Sequence, residues 1–209
     1  MAITNYATLV TAIGDNLARS DLSSYIPDFI MQAEQVFNHG SESIPPLRVR
    51  DMEDIESLSP TSNVYTLPSD YLQYRRVTEE SSPRRPLEYI DPMGVDQLYP
   101  LRAAGYSNHF TIIGSSLYTY PLSTNDVELV YYAAIPALTS GATTNWLITK
   151  APSLYLRMSL MFAYDFIHED NGEMTKNAQM AKALIAGMNQ SGMMANYARA
   201  GLTIRGITP

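Results

Sequence analysis

The apolar period of the chain changes twice, and those two changes restrict the fold more than any single motif does. In Tyr6, Leu9, Val10, Ile13 and Leu17, and again in Ile26, Phe29, Ile30, Ala33 and Phe37, apolar residues recur every three or four positions. That spacing puts each set on one face of a helix, with Asp15, Asn16 and Arg19 opposite the first set. Asn38-His39-Gly40 offers the second helix a stop, because glycine tolerates the left-handed conformation. The linker around Ser20-Asp21 is short, so the two helices read as an αα-hairpin whose apolar stripes need further helices to cover them.

From about residue 45 to residue 136 the period becomes two, and Pro, Gly, Ser and Asn punctuate it, which predicts a strand-rich region. Phe110 to Ile113 and Leu117 to Tyr120 flank Gly114-Ser115-Ser116 and read as a hairpin. Both alternating sets in Val127 to Ala133 contain apolar residues, so that strand is expected to be covered on both faces or nearly so. Shorter strands are expected at 47–50, 64–67, 74–78 and 87–90, and one or two helical turns at 91–98.

Helical spacing returns after Thr149. Pro152 suits a first turn, and the segment from Leu154 to Ile167, apolar on most of its circumference, predicts the central, most buried helix. Asp170 and Glu173 have capping-box-like spacing, and Ala178, Ala181, Ile185 and Met188 line one face of a last helix that Gly187 and Gly192 weaken towards Tyr197. The expected fold is α+β: a four-helix bundle formed by the N- and C-terminal helix pairs (1–44 and 140–200), a central β-rich, sandwich- or barrel-like insertion (45–139), and an extended C-terminal tail (201–209). Leu202, Ile204 and Ile207 alternate in that tail, so it either frays or adds to another chain's sheet edge.

The residue inventory removes most chemistry. With no cysteine, disulfides, thiolate ligands and cysteine nucleophiles are excluded. The N-terminus lacks a basic start followed by an apolar stretch, so no signal peptide is expected and synthesis in the cytosol is the default. Leu154 to Ile167 is interrupted by Arg157, Ser159 and Asp165 and falls short of the roughly 20 apolar residues of a spanning helix. A net charge of -7, from 21 acidic and 14 basic residues, disfavours broad phosphate neutralisation; it would suit a wall past which DNA slides, but on charge alone it reads first as the ordinary surface of an acidic soluble chain.

The histidines His39, His109 and His168 are scattered, and His168-Glu169-Asp170 reads as a solvated helix terminus. G-x-S-x-G, Walker A, G-x-G-x-x-G and H-E-x-x-H patterns are all missing. Asp51, Glu53, Asp54 and Glu56 gather four carboxylates, a set that serves hard cations or glycoside hydrolysis elsewhere. Without a glycine turn and ordered carbonyl donors the run reads as a solvated edge that discourages aggregation. No catalytic residue, cofactor site or metal ligand is assigned. Arg75-Arg76 and Arg84-Arg85, interleaved with Tyr71, Tyr74 and Tyr89, fit nucleic acid by composition, but in an acidic chain they fit a protein interface better. The 15 tyrosines serve as interface anchors, as stacking platforms for sugars, or simply as strand formers. The methionines concentrated after Arg157 read as core filler and adaptable contacts.

The segment Val64-Tyr65-Thr66-Leu67-Pro68-Ser69-Asp70-Tyr71-Leu72-Gln73-Tyr74-Arg75-Arg76-Val77 resembles a pattern of the tailed-phage head-to-tail connector (portal adaptor, head completion) family. In that pattern a strand ends at Leu-Pro, an Asp-aromatic turn follows, and a second strand carries Arg and Val. Phe110 to Gly114, Leu117 to Pro121, Val127 to Ala134 and Ile135-Pro136-Ala137-Leu138 resemble the family's hairpin, next strand and exit towards the C-terminal helices. The resemblance implies a structural virion protein, not an enzyme, assembled in the host bacterial cytoplasm and located at the neck. It implies a ring of about twelve copies under the portal protein that closes the packaged head and joins tail or nozzle proteins. Genomic DNA would pass through the lumen without sequence-specific binding, and neither cofactor nor membrane is implied.

Family members send a C-terminal extension onto the portal, and Met193 to Pro209 stands where such an extension would start. No fixed motif marks the family's contacts, so the candidates come from chemistry: Arg75, Arg76, Arg84 and Arg85 for lateral or tail-facing contacts, and Tyr197, Leu202, Ile204 and Arg205 for portal docking. A carbohydrate- or receptor-binding β module of a phage or bacterial surface assembly, with tyrosines stacked on sugar rings, is the competing reading. A hydrolase using the carboxylates from Asp51 to Glu56 is a third.

Overall fold

Asn5 opens the first helix, α1 (Tyr6–Leu17), by accepting the backbone N–H of Thr8 at 3.0 Å while its own N–H donates to the Thr8 hydroxyl at 3.0 Å. This reciprocal pair satisfies donors that a helix start otherwise leaves free. The second helix, α2 (Ile26–His39), takes Pro27 in its first turn and stops at Gly40. Gly40 has φ +77, and a Cβ there would lie 2.8 Å from the Pro46 ring, so both conformation and space require glycine. The computed structural model describes residues 2–19, 21–168 and 172–197. The chain divides into two units, Met1–Asp51 with Ile135–Pro209, and Met52–Ala134.

The second unit holds β1 (Glu53–Leu58), β2 (Tyr65–Thr66), β3 (Tyr71–Glu79), β4 (Arg85–Pro86), β5 (Glu88–Tyr89), α3 (Pro92–Leu98), β6 (His109–Ile113), β7 (Ser116–Tyr120) and β8 (Val127–Ala133). They form two four-stranded sheets, ordered β1-β8-β3-β4 and β2-β7-β6-β5. The expected hairpin is β6–β7, with Ile113 opposite Ser116. Leu58, Val77, Leu129 and Tyr131 from one sheet and Tyr65, Phe110 and Leu117 from the other share one apolar core. Alternation along β8 turns Val127, Leu129 and Tyr131 to that core and Glu128, Val130 and Tyr132 away from it.

After β8 the first unit resumes with α4 (Trp146–Lys150), α5 (Pro152–Ile167) and α6 (Glu173–Tyr197). The mixture of helices and sheets fits an α+β class, but the expected four-helix bundle of N- and C-terminal helix pairs is overturned. The described residues contain six helices, five in this unit, and they gather around one. Leu154, Tyr155, Met158, Leu160, Met161 and Ala163 of α5 are all buried, so this helix has apolar surface for several neighbours at once. It packs against α1, α2, α4 and α6, whereas α1 and α2 touch each other only lightly. The short α4, capped by Asn145, was not expected from periodicity. The last helix runs through Gly187 and Gly192 without a break.

The strand expected at 47–50 does not form. Leu47 donates instead to the Phe37 carbonyl at 2.8 Å and Arg48 N–H to Asn189 Oδ1 at 2.7 Å, so helices rather than a neighbouring strand satisfy this backbone. Conversely, the acidic run at 53–58 is a strand, the open edge of its sheet. The expected tail at 201–209 and the Asp170 cap lie outside the described residues.

Candidate functional site

The outer face of the β1-β8-β3-β4 sheet collects three of the four candidate arginines. Along β3 the register sets Arg76 opposite Val130 and Thr78 opposite Glu128, on the side of β8 turned from the core. Arg76 Nη2 donates to Glu128 Oε1 at 2.7 Å, and Arg84 Nη2 donates to the other oxygen, Oε2, at 2.8 Å. The hydrogen bond from Arg84, with the charges of Arg84 and Arg76, holds the Glu128 carboxyl below the usual carboxylate range. Both side chains keep more than half their surface in solvent, 59% for Arg76 and 54% for Arg84, so a partner can reach them. Arg75 donates to the Tyr132 hydroxyl at 2.8 Å, lies 5.4 Å from that ring's centroid, and sits 3.5 Å from Glu53. Ile55, opposite Val130 and 63% exposed, supplies an apolar element on the same face.

Arg85 is not part of this group. Its guanidinium lies over the Tyr106 ring at 4.3 Å. Tyr197 is the last residue of α6, and Leu202, Ile204 and Arg205 lie outside the described residues, so the structure places no portal-docking side chain. Glu128 and Tyr132, which organise the arginines, escaped the sequence reading because they sit in a strand expected to be covered on both faces.

The acidic run is dispersed by strand alternation. Asp51 pairs with Lys150, Glu53 turns towards Arg75, and Asp54 and Glu56 lie on the opposite face of β1 from Glu53. Asp54 Oδ1 accepts the Ile55 N–H at 2.8 Å, which blunts the open strand edge. His168, in a left-handed conformation with φ 58, ends α5 in solvent, and Glu169 and Asp170 lie outside the described residues. The Tyr99 hydroxyl and His109 Nδ1 are 2.6 Å apart, next to the Tyr99–Tyr120 stack. Among the described residues, no group of three or more His, Asp or Glu is placed to hold a metal, and no helix is long and apolar enough to cross a membrane.

A second polar cluster lies inside the helical unit. Glu34, only 7% exposed, accepts the Leu138 N–H at 2.8 Å and the Tyr155 hydroxyl at 3.0 Å. Asn145 Nδ2 donates to both Tyr155 Oη and the Pro136 carbonyl at 2.7 Å. Burial pushes the Glu34 carboxyl up, against the two hydrogen bonds it accepts. Burial and then the charge of Glu34 push the Tyr155 hydroxyl up as well. With no route for a substrate to a group so enclosed, the cluster ties residues 136–145 to α2 and α5.

No curated protein matches the sequence. The family model described as SU10 adaptor protein matches residues 4–205. That range covers nearly the whole chain, and therefore the chain belongs to the SU10 adaptor protein family, a family of phage structural adaptors rather than of enzymes.

Proposed function

We propose that this chain is a structural virion protein that forms the adaptor ring between the capsid portal and the tail of a tailed bacteriophage. It closes the packaged head and offers the tail its attachment surface. The observation that carries the reading is the family match over residues 4–205. The outer face of the first sheet supports it. Half-exposed arginines, a residue type enriched at protein interfaces, stand there beside an exposed isoleucine. The net charge of -7 suits a lumen through which DNA moves without adhering.

Purified chain mixed with its cognate portal protein tests this. The expected result is a complex of ring size by light scattering, visible as an annulus by electron microscopy. A chain that stays monomeric and never associates with the portal at micromolar concentrations overturns the proposal.

A further inference from the structure

Among the described residues, the strand β1 has one edge without a neighbouring strand. It is the outermost strand of its sheet and bonds to β8 on one side only. In an antiparallel ladder the N–H and C=O groups of alternate residues point towards the partner strand and away from it. The Ile55 N–H is taken by Asp54 Oδ1 at 2.8 Å, so Ile55 points away from β8, and Glu53 and Ser57 share its parity. The side chains divide in the same way. Glu53, Ile55 and Ser57 stand on the outer face of the sheet, with Ile55 63% exposed, whereas Asp54 and Glu56, opposite Tyr131 and Leu129, stand on the other.

That second face carries unpaired acid. Tyr131 Oη donates to Asp70 Oδ1 at 3.2 Å. Burial first, then the charge of Asp70 and this hydrogen bond, and then the charges of Asp54 and Glu56 push the Tyr131 hydroxyl up, as follows when carboxylates gather around one phenol. Among the described residues, Asp54, Glu56 and Asp70 have no ion-pair partner, in contrast to Glu53 and Glu128 on the outer face. Such an edge repels its own copy and any other acidic strand, and it admits a basic one.

The chain itself carries a segment of that chemistry. No acidic residue follows Glu173, while Lys176, Lys182, Arg199 and Arg205 do. Leu202-Thr203-Ile204-Arg205 alternates apolar with polar or basic side chains and is rich in strand formers. Set beside β1 with Leu202 and Ile204 on the face of Ile55, it brings Thr203 and Arg205 to the face of Asp54, Glu56 and Asp70. A shift by one residue sends the apolar pair to the carboxylates instead, so one phase satisfies both faces. We propose that residues 201–205 of one copy add to β1 of a neighbouring copy as a further strand, with main-chain hydrogen bonds to Glu53, Ile55 and Ser57 and with Arg205 against the unpaired carboxylates. An incoming carbonyl takes the Ile55 N–H and releases Asp54 to the guanidinium. The contact rests on the ring reading: each copy gives a strand to one neighbour and receives one from the other, a heterologous arrangement that closes. The portal is a candidate partner for the same residues, so a sample without portal is measured as well.

The chain has no cysteine, so Ser57→Cys puts a single benzophenone label on the edge. Full-length chains, one half ¹⁴N and the other ¹⁵N, are mixed and irradiated alone and with the portal protein. Cross-linked peptides are read by mass spectrometry and the assembly size by light scattering. Cross-links from position 57 to residues 201–209 are expected in at least one of the two samples, with a light and a heavy chain joined in one product. Asp54→Lys combined with Glu56→Lys should lower their yield roughly fivefold, and adding Arg205→Glu should restore it. If the lysine variant does not fold, Arg205→Glu alone, beyond the last helix, should give the same loss. Cross-links confined to single chains, cross-links to the portal alone, or a yield indifferent to these charges overturn the proposal. A ring without tail cross-links overturns this contact and leaves the ring reading standing, whereas a chain that neither cross-links nor associates overturns both.

Discussion

The Glu34 carboxyl is buried among hydrogen-bond donors, and the sign of its effect follows from its raised pKa. A folded-state value above the unfolded one means that protonation favours the fold. That contribution is fully present below the ordinary value of 4.5 and is lost as pH rises through the folded value. Glu34→Gln keeps an acceptor for Leu138 and Tyr155 without the charge, so at pH 7 it should be within about 1 kcal/mol of the unaltered chain, on the stabilising side. Its advantage should shrink as pH falls towards 4.5, which thermal melts between neutral and acid pH check. Tyr155→Phe leaves Glu34 and Asn145 short of a partner and should cost about 1–3 kcal/mol, read from the urea midpoint. The burial of Glu34 is legible from helical spacing, since it stands four residues after Ile30 and three before Phe37. Its partners lie 104 and 121 positions further along, where no periodicity connects them.

At the scale of elements, the strand β1 shows where propensity stops informing. Asp and Glu are poor strand formers, so the run from Asp51 to Glu56 reads as a solvated charged edge, and no strand is expected at 53–58. Pairing with β8 over six residues decides otherwise, and the edge character survives as the outermost strand of its sheet. The arginine pairs were legible as interface candidates, but their division was not. Which of them meet Glu128 depends on β-bulges in β3 and on the turn before β4. Exposed ion pairs contribute little to stability, so Arg76→Glu combined with Arg84→Glu should shift the melting temperature by no more than a few degrees. The same change should abolish ring assembly by light scattering, and a ring that survives removes this face from the contact. At the end of α2, Gly40→Ala meets both a left-handed backbone and the Pro46 ring, and should lower stability by about 1–3 kcal/mol in denaturant unfolding.

For the whole molecule, the proposed portal contact of the C-terminal segment makes a distinct prediction. Truncation after Asn196 should leave the melting temperature close to that of the full chain, because α5 and the helices around it stay intact, yet it should weaken portal association in a pull-down. Full-strength association by the truncated chain removes the docking role of Tyr197, Leu202, Ile204 and Arg205. By itself the sequence determined the alternation of helical and strand-rich regions, the β6–β7 hairpin and a central α5, because these follow from local period and turn chemistry. Only the tertiary structure decided that the helices surround α5 instead of pairing into a bundle, that eight strands divide into two sheets, and that Glu79 and Glu128 end up on opposite faces of one sheet. Those outcomes depend on register and on contacts between residues far apart in the chain, and a one-residue change of register sends every side chain of a strand to the other face.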